Sequence, residues 1–199
     1  RKIISLLPAA TEIICALGLE RQLIGRSHEC DYPESVKGLP VCSSAKFLPG
    51  SDSAEIDRQV KEILSDSLSI YTIDKELIKS LAPDVIITQA QCEVCAVSLK
   101  DVEMAIGDLL AKDCKIISLE PHQLSDIYRD IRNLADQLNA GNAGADLLES
   151  SEDRIDIIRH KLKFITEKPK VVCIEWLSPL MIAGNWPPEI IEIAGGIPV

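Results

Sequence analysis

Basic side chains are in deficit: 21 Lys and Arg face 31 Asp and Glu, a formal net charge of -10 over 199 residues. Phosphate contacts need clustered cations, so a nucleic-acid binder is excluded. An anionic membrane surface is excluded as a partner for the same reason. No apolar run approaches the ~18–20 residues of a membrane span. The chain also lacks a G-x-S-x-G elbow, a phosphate loop and an H-E-x-x-H pair, and Gly195-Gly196 is too short for a dinucleotide fingerprint. It therefore reads as a non-enzyme that calls for no cofactor. No secretory signal precedes the opening Arg1-Lys2-Ile3-Ile4. Two expectations follow: a signal removed by processing or cloning, or a cytoplasmic protein. Aromatics are only 4% of the chain, and both tryptophans, Trp176 and Trp186, fall near its end.

Seven cysteines are an odd count for a secreted disulfide framework. Cys15, Cys114 and Cys173 lie in apolar runs and are expected to be buried as small hydrophobes. Cys30, Cys92 and Cys95 lie in polar stretches and carry more chemistry.

Short apolar runs alternate with amphipathic stretches, the pattern of an α/β protein with parallel strands. Strands are expected at 3–7, 23–26, 69–72, 85–88 and 114–119, and helices at 11–17, 53–67, 75–81 and 98–111. Asp74 should cap the third helix and Pro83 should stop it. From Gln123 the pattern turns helical, with a break at 139–144 and a long helix over 145–166. That helix would be roughly 33 Å long, with Leu147, Leu148, Ile155, Ile158, Leu162 and Ile165 facing inward. A strand at 171–176 and a helix at 187–194 follow. The expected organisation is a first α/β lobe over 1–122, a helical connection over 123–166, and the start of a second lobe over 167–199. So short a second unit cannot enclose a core, so the expectation is a truncated form of a longer chain.

Parallel sheets bind ligands beyond the carboxyl ends of their strands. The loops there contain His28, Glu29, Cys30 and Tyr32, then Gln89, Gln91, Cys92, Glu93 and Cys95, then Glu120, and finally Glu175 and Trp176. Cys92-Glu93-Val94-Cys95 has CxxC spacing, which suits a soft metal, a disulfide, or plain pocket-lining thiols. With His28 and Cys30 it has the ligand types of a tetrahedral metal site. His28 reads either as an axial or metal ligand or as a loop histidine bonded to a nearby acid. His122 reads as a helix cap and His160 as solvated. Glu29, Glu93, Glu120 and Glu175 could together contact a cationic or hydroxylated ligand, or stand solvated. Trp176 and Trp186 offer flat surfaces for a flat ligand, or packing.

The opening Ile3-Ile4-Ser5-Leu6-Leu7-Pro8-Ala9-Ala10-Thr11-Glu12 resembles the first strand and helix of the helical-backbone (class III) substrate-binding proteins of ABC transporters. Tyr71–Ile78 with Leu81–Ile87 is similar to that family's helix–strand signature, and Asp31-Tyr32-Pro33 with 168–196 to its cobalamin-binding branch. The resemblance covers essentially the whole chain. It implies two Rossmann-like α/β lobes joined by a long spine helix, here with the second lobe incomplete, and a ligand held between them. It implies an extracytoplasmic monomer delivering cobalamin, a related corrinoid or a metal chelate to an ABC permease. By resemblance, residues 28–32 and Gln89 would line the cleft from the first lobe and Trp176 from the second. Glu76 would dock on arginines of the permease. The chain departs from the cobalamin branch in offering only Tyr32 as a first-lobe aromatic and in carrying the extra thiols. The alternative is a cytoplasmic metal- or thiol-redox-binding protein on the same fold, using His28, Cys30, Cys92 and Cys95.

Overall fold

A computed structural model gives the fold. It describes residues 1–48, 50–66, 69–90, 97, 99–106 and 114–199. The chain divides into two compact units, residues 1–51 with 58–120, and residues 52–57 with 121–199.

The first unit runs β1 (Ile3–Ser5), α1 (Pro8–Ala16), β2 (Leu23–Arg26), β3 (Ser43–Ala45), α2 (Ser53–Asp66), β4 (Tyr71–Ile73), α3 (Lys75–Leu81), β5 (Val85–Gln89), α4 (Leu99–Ile106) and β6 (Lys115–Leu119), with the first five residues of α2 counted in the second unit. Its main sheet has the order β2-β1-β5-β6 with every pairing parallel. This is the α/β architecture expected. β1 and β5 are buried throughout, as strands covered on both faces must be. Ile4, Leu6, Ile70, Ile78, Ile86 and Val102 form the core between sheet and helices. Asp74 caps α3, its carboxylate accepting from Leu77 N at 2.9 Å. The order places a switch point between β1 and β5, since the chain leaves β1 toward β2 on one side and adds β6 beyond β5 on the other.

Two features depart from the sequence reading. β4, expected with the parallel strands, pairs antiparallel with β3 in a separate two-stranded sheet. β3 itself was not expected, because Ser43-Ser44-Ala45 carries no apolar alternation. It forms because residues 40–42 already run beside β2: Arg26 N donates to Pro40 O at 2.9 Å and Cys42 N to Arg26 O at 2.8 Å. Gly25 permits this approach, since a Cβ there would lie 2.8 Å from Cys42 Sγ.

The second unit contains α5 (Leu124–Gln137), α6 (Gly141–Leu162), β7 (Lys170–Val171), β8 (Ile174–Trp176), β9 (Met181–Ile182), α7 (Pro187–Ile193) and β10 (Ile197–Pro198). Its core is the α5–α6 hairpin, with Ile131, Leu134, Ala135, Leu138 and Leu148 buried. The break is shorter than expected: Asn139, at φ 60°, turns the chain, and α6 starts at Gly141. The stripe also ends early. Ile158 and Ile165 are exposed at 40% and 54%, Ile165 lying beyond the end of α6. The strand expected over 171–176 is split into β7, paired with β10, and β8, paired with β9. Cys173, between them, is exposed rather than buried.

The start of α5 is organised by Asp126, not by a His122 side-chain cap. The Asp126 carboxylate accepts from His122 N at 3.0 Å, Gln123 N at 3.1 Å and Arg129 Nη1 at 2.8 Å. The His122 N–H, helped by Gln123 and Arg129, holds its carboxyl below the ordinary 3.8. A depressed folded pKa contributes stability that is complete above the unfolded value and is lost as pH falls through the folded one. Asp126→Asn is therefore expected to flatten the acid limb of a melting-temperature profile below about pH 4. An unchanged limb would count against this cap.

Candidate functional site

The candidate site is built at the carboxyl ends of the first unit's strands. Chain leaving β2 forms a tight loop, with Ser27 N donating to Ser5 O at 2.9 Å and Cys30 N to Ser27 O at 3.2 Å. Arg26 holds this loop from beneath. Its Nη1 donates to the carbonyls of Ser27 and Cys30, both at 3.0 Å, and its Nη2 to Lys37 O at 3.1 Å. The guanidinium, whose rigid fork suits such spanning, thus ties residues 27, 30 and 37 together. Nothing in local sequence patterning marks Arg26 for this role except that it is the one cation ending a parallel strand.

The loop displays His28 and Glu29. His28 Nδ1 lies 2.9 Å from Ser43 Oγ on β3, and its backbone N donates to the same oxygen at 3.3 Å. Its ring stands 5.5 Å from that of Tyr71 on β4, at an interplanar angle of 52°. Burial, assisted by the charge of Arg26, lowers the His28 pKa and favours the neutral imidazole. Glu29 N donates to Ser27 Oγ at 3.1 Å. Burial raises the Glu29 pKa, opposed by a hydrogen bond from the Tyr71 side chain. Ser43 and Tyr71 complete the site and were missed, since neither stands at a strand end that the sequence pattern exposes.

Cys30, read in the sequence as a candidate pocket-lining or metal-ligating thiol, turns inward from the loop. It is 0% exposed, its Sγ lies 3.7 Å from Ser5 O, and burial raises its pKa. Cys42 is likewise 0% exposed, its pKa pushed up to about 11 by burial. Tyr32 is 65% exposed and adjoins the cis Tyr32–Pro33 peptide. Gln89 ends β5 at the switch point and is buried, and Thr88 Oγ1 donates to Val97 O. Gln91, Cys92, Glu93 and Cys95 lie outside the described residues. Among those described, no three His, Cys, Asp or Glu residues cluster to hold a metal ion. Glu120 is exposed after β6, and Glu76 is exposed in the first turn of α3.

In the second unit Glu175 is exposed and Trp176 half-buried. Trp176 Nε1 donates to Ser178 O at 2.9 Å and Ser53 O at 3.2 Å. Trp186 is the half-buried residue preceding α7. A cavity of about 440 Å³ lies there too, lined by Leu124, Arg159, Leu162, Lys168, Glu189 and Gly195 among others. The Glu189 carboxylate at its wall is already occupied by Leu124 N, 3.3 Å from both oxygens. It is a structural junction, distant in chemistry from the strand-end site.

The family model described as periplasmic binding protein matches residues 3–199. The chain belongs to the periplasmic binding protein family. Among curated relatives, this binding protein is 26% identical over 196 residues to a vitamin B12-binding protein of Vibrio vulnificus, covering 98% of the chain and 60% of the relative. It thus spans about 60% of the length of the curated relatives it matches. Among solved structures it resembles the apo periplasmic heme-binding protein of Roseiflexus sp. RS-1, with a TM-score of 0.70, 24% identity, and 99% of this chain and 65% of that one covered. It also resembles the periplasmic vitamin B12-binding protein of Vibrio cholerae, with a TM-score of 0.68, 22% identity, and coverage of 99% and 65%. These likenesses establish the class III fold and a family of binding proteins rather than enzymes. No helix among the described residues is long and apolar enough to cross a membrane.

Proposed function

We propose that this protein is the extracytoplasmic substrate-binding component of an ABC importer, and that its ligand is a corrinoid. The family and the vitamin B12-binding relatives support the class. The observation that favours a corrinoid over a haem is the charge of the strand-end site. The exposed or half-buried groups proposed to face the ligand are His28, Glu29 and Glu120, while Arg26 spends its Nη donors on loop carbonyls and Lys46 Nζ donates to Ser69 O at 2.7 Å. Haem carboxylates would meet acids here, with no free cation supplied by these two residues. The carboxamides of a corrinoid donate hydrogen bonds to such acids instead. Tyr32 adds an exposed ring for an apolar macrocycle face. Gln91, Cys92 and Glu93, outside the described residues, and Glu175, Trp176 and Trp186 of the second unit are further proposed ligand contacts. Glu76, exposed on α3, is the proposed contact for a cationic patch of the permease.

Isothermal titration with cobinamide, cobalamin and haem tests this reading. Corrinoids are expected to bind and haem to bind more weakly. Glu29→Ala should weaken corrinoid binding roughly tenfold, the scale of losing one hydrogen bond to a charged acceptor. Tighter binding of haem than of either corrinoid would overturn the proposal.

A further inference from the structure

The geometry points to His28 as a cobalt ligand: its Nε2 replaces an axial water on the corrinoid metal, so that the protein captures corrinoids whose axial position is open. This inference rests on the corrinoid reading above and specifies how that ligand is held. It comes from the way the ring is fixed. Ser43 Oγ engages Nδ1 at 2.9 Å and the same residue's main-chain N at 3.3 Å, so ring and backbone are tied to one buried hydroxyl on β3. Tyr71, buried on β4, packs against the ring at 5.5 Å and limits its rotation. The loop carrying His28 is clamped in turn by the Arg26 guanidinium. A metal-binding histidine requires this pattern: one nitrogen held by a neighbouring oxygen so that the other is aimed and free. Among the described residues no hydrogen bond engages Nε2, and His28 as a whole is half-buried rather than closed off.

The exchange is balanced without a redox step. With the proton on Nδ1, donated to Ser43 Oγ, the Nε2 lone pair forms a bond to Co(III) as the cobalt–water bond breaks and water leaves. No proton or electron is gained or lost.

The test uses diaquocobinamide, whose two axial positions carry exchangeable water, and dicyanocobinamide, whose positions are blocked. On binding the protein, diaquocobinamide should change its visible spectrum to that of an imidazole-ligated standard. His28→Ala should still bind it, at least tenfold more weakly, with the aquo spectrum retained until free imidazole is added. His28→Gln, which keeps a polar group of similar size, should behave like the alanine variant, and circular dichroism should show both variants folded. Dicyanocobinamide should keep its spectrum on binding wild type, and its affinity should fall less than that of diaquocobinamide in both variants. Binding of diaquocobinamide without the spectral change, or the same change in His28→Ala, would overturn ligation by His28 and leave the corrinoid reading standing. Absence of binding by either cobinamide would remove both.

Discussion

Replacing Ile86 with alanine is expected to lower the unfolding free energy by about 3 kcal/mol, within the range for truncating a buried isoleucine. Ile86 is fully buried at the centre of β5, paired with Ile4 of β1 and Ile116 of β6. Both of its sheet neighbours are themselves apolar, and Ile70, Ile78 and Val102 belong to the same cluster. The site cannot collapse around a smaller side chain, because parallel strands on both sides hold β5 in register. Ile86→Val, which removes one methylene, should cost about 1 kcal/mol. Urea denaturation of the two variants against wild type measures both. A loss below about 1 kcal/mol for the alanine variant would mean that the first unit's core does not depend on β5 in this way.

Arg26→Ala should have the largest effect on ligand binding of any residue outside direct contact. Three loop carbonyls, those of Ser27, Cys30 and Lys37, would lose their charged donor. Hydrogen bonds to charged groups contribute about 1.5–3 kcal/mol each, and solvent can replace part of that at a half-exposed side chain, so a net loss of about 2–3 kcal/mol is expected. The loop bearing His28 and Glu29 would loosen, and corrinoid affinity should fall at least tenfold. The same change removes the lesser of the two causes that lower the His28 pKa, so that value should rise while burial continues to hold it down. Arg26→Lys retains the charge but not the fork, and should recover the His28 pKa better than the affinity. Amide exchange over residues 27–38, with an NMR titration of His28, checks each part. Unaltered exchange in the alanine variant would show that the loop stands without the clamp.

Several elements were legible because their signals are local. Asp74 before Lys75–Leu81, Pro83 after it, and the apolar run at 85–89 each report on neighbours a few residues away. α5 and the long α6 follow from helical periodicity in the same way, although the end of the apolar stripe does not. Ile158 and Ile165 have the right spacing but stay exposed. Periodicity states which face a helix could bury, not whether a partner arrives. The separation of β4 from the main sheet is of the same kind, since its pairing with β3 joins segments nearly thirty residues apart.

The site shows the same division at the scale of single side chains. His28 and Glu29 stand out in the sequence as polar residues after a strand, and the structure keeps them there. Cys30 follows them directly, yet it turns inward against Ser5 O, a choice made by the packing of β1 beneath the loop. The sequence by itself determined the α/β alternation, the Asp74 cap of α3 and the acidic character of the strand-end loops, because periodicity, capping and charge are properties of adjacent residues. Only the tertiary structure decided the strand order, the burial of Cys30, and the meeting of His28 with Ser43 and Tyr71. Those depend on contacts between distant segments, which the fold alone brings within reach.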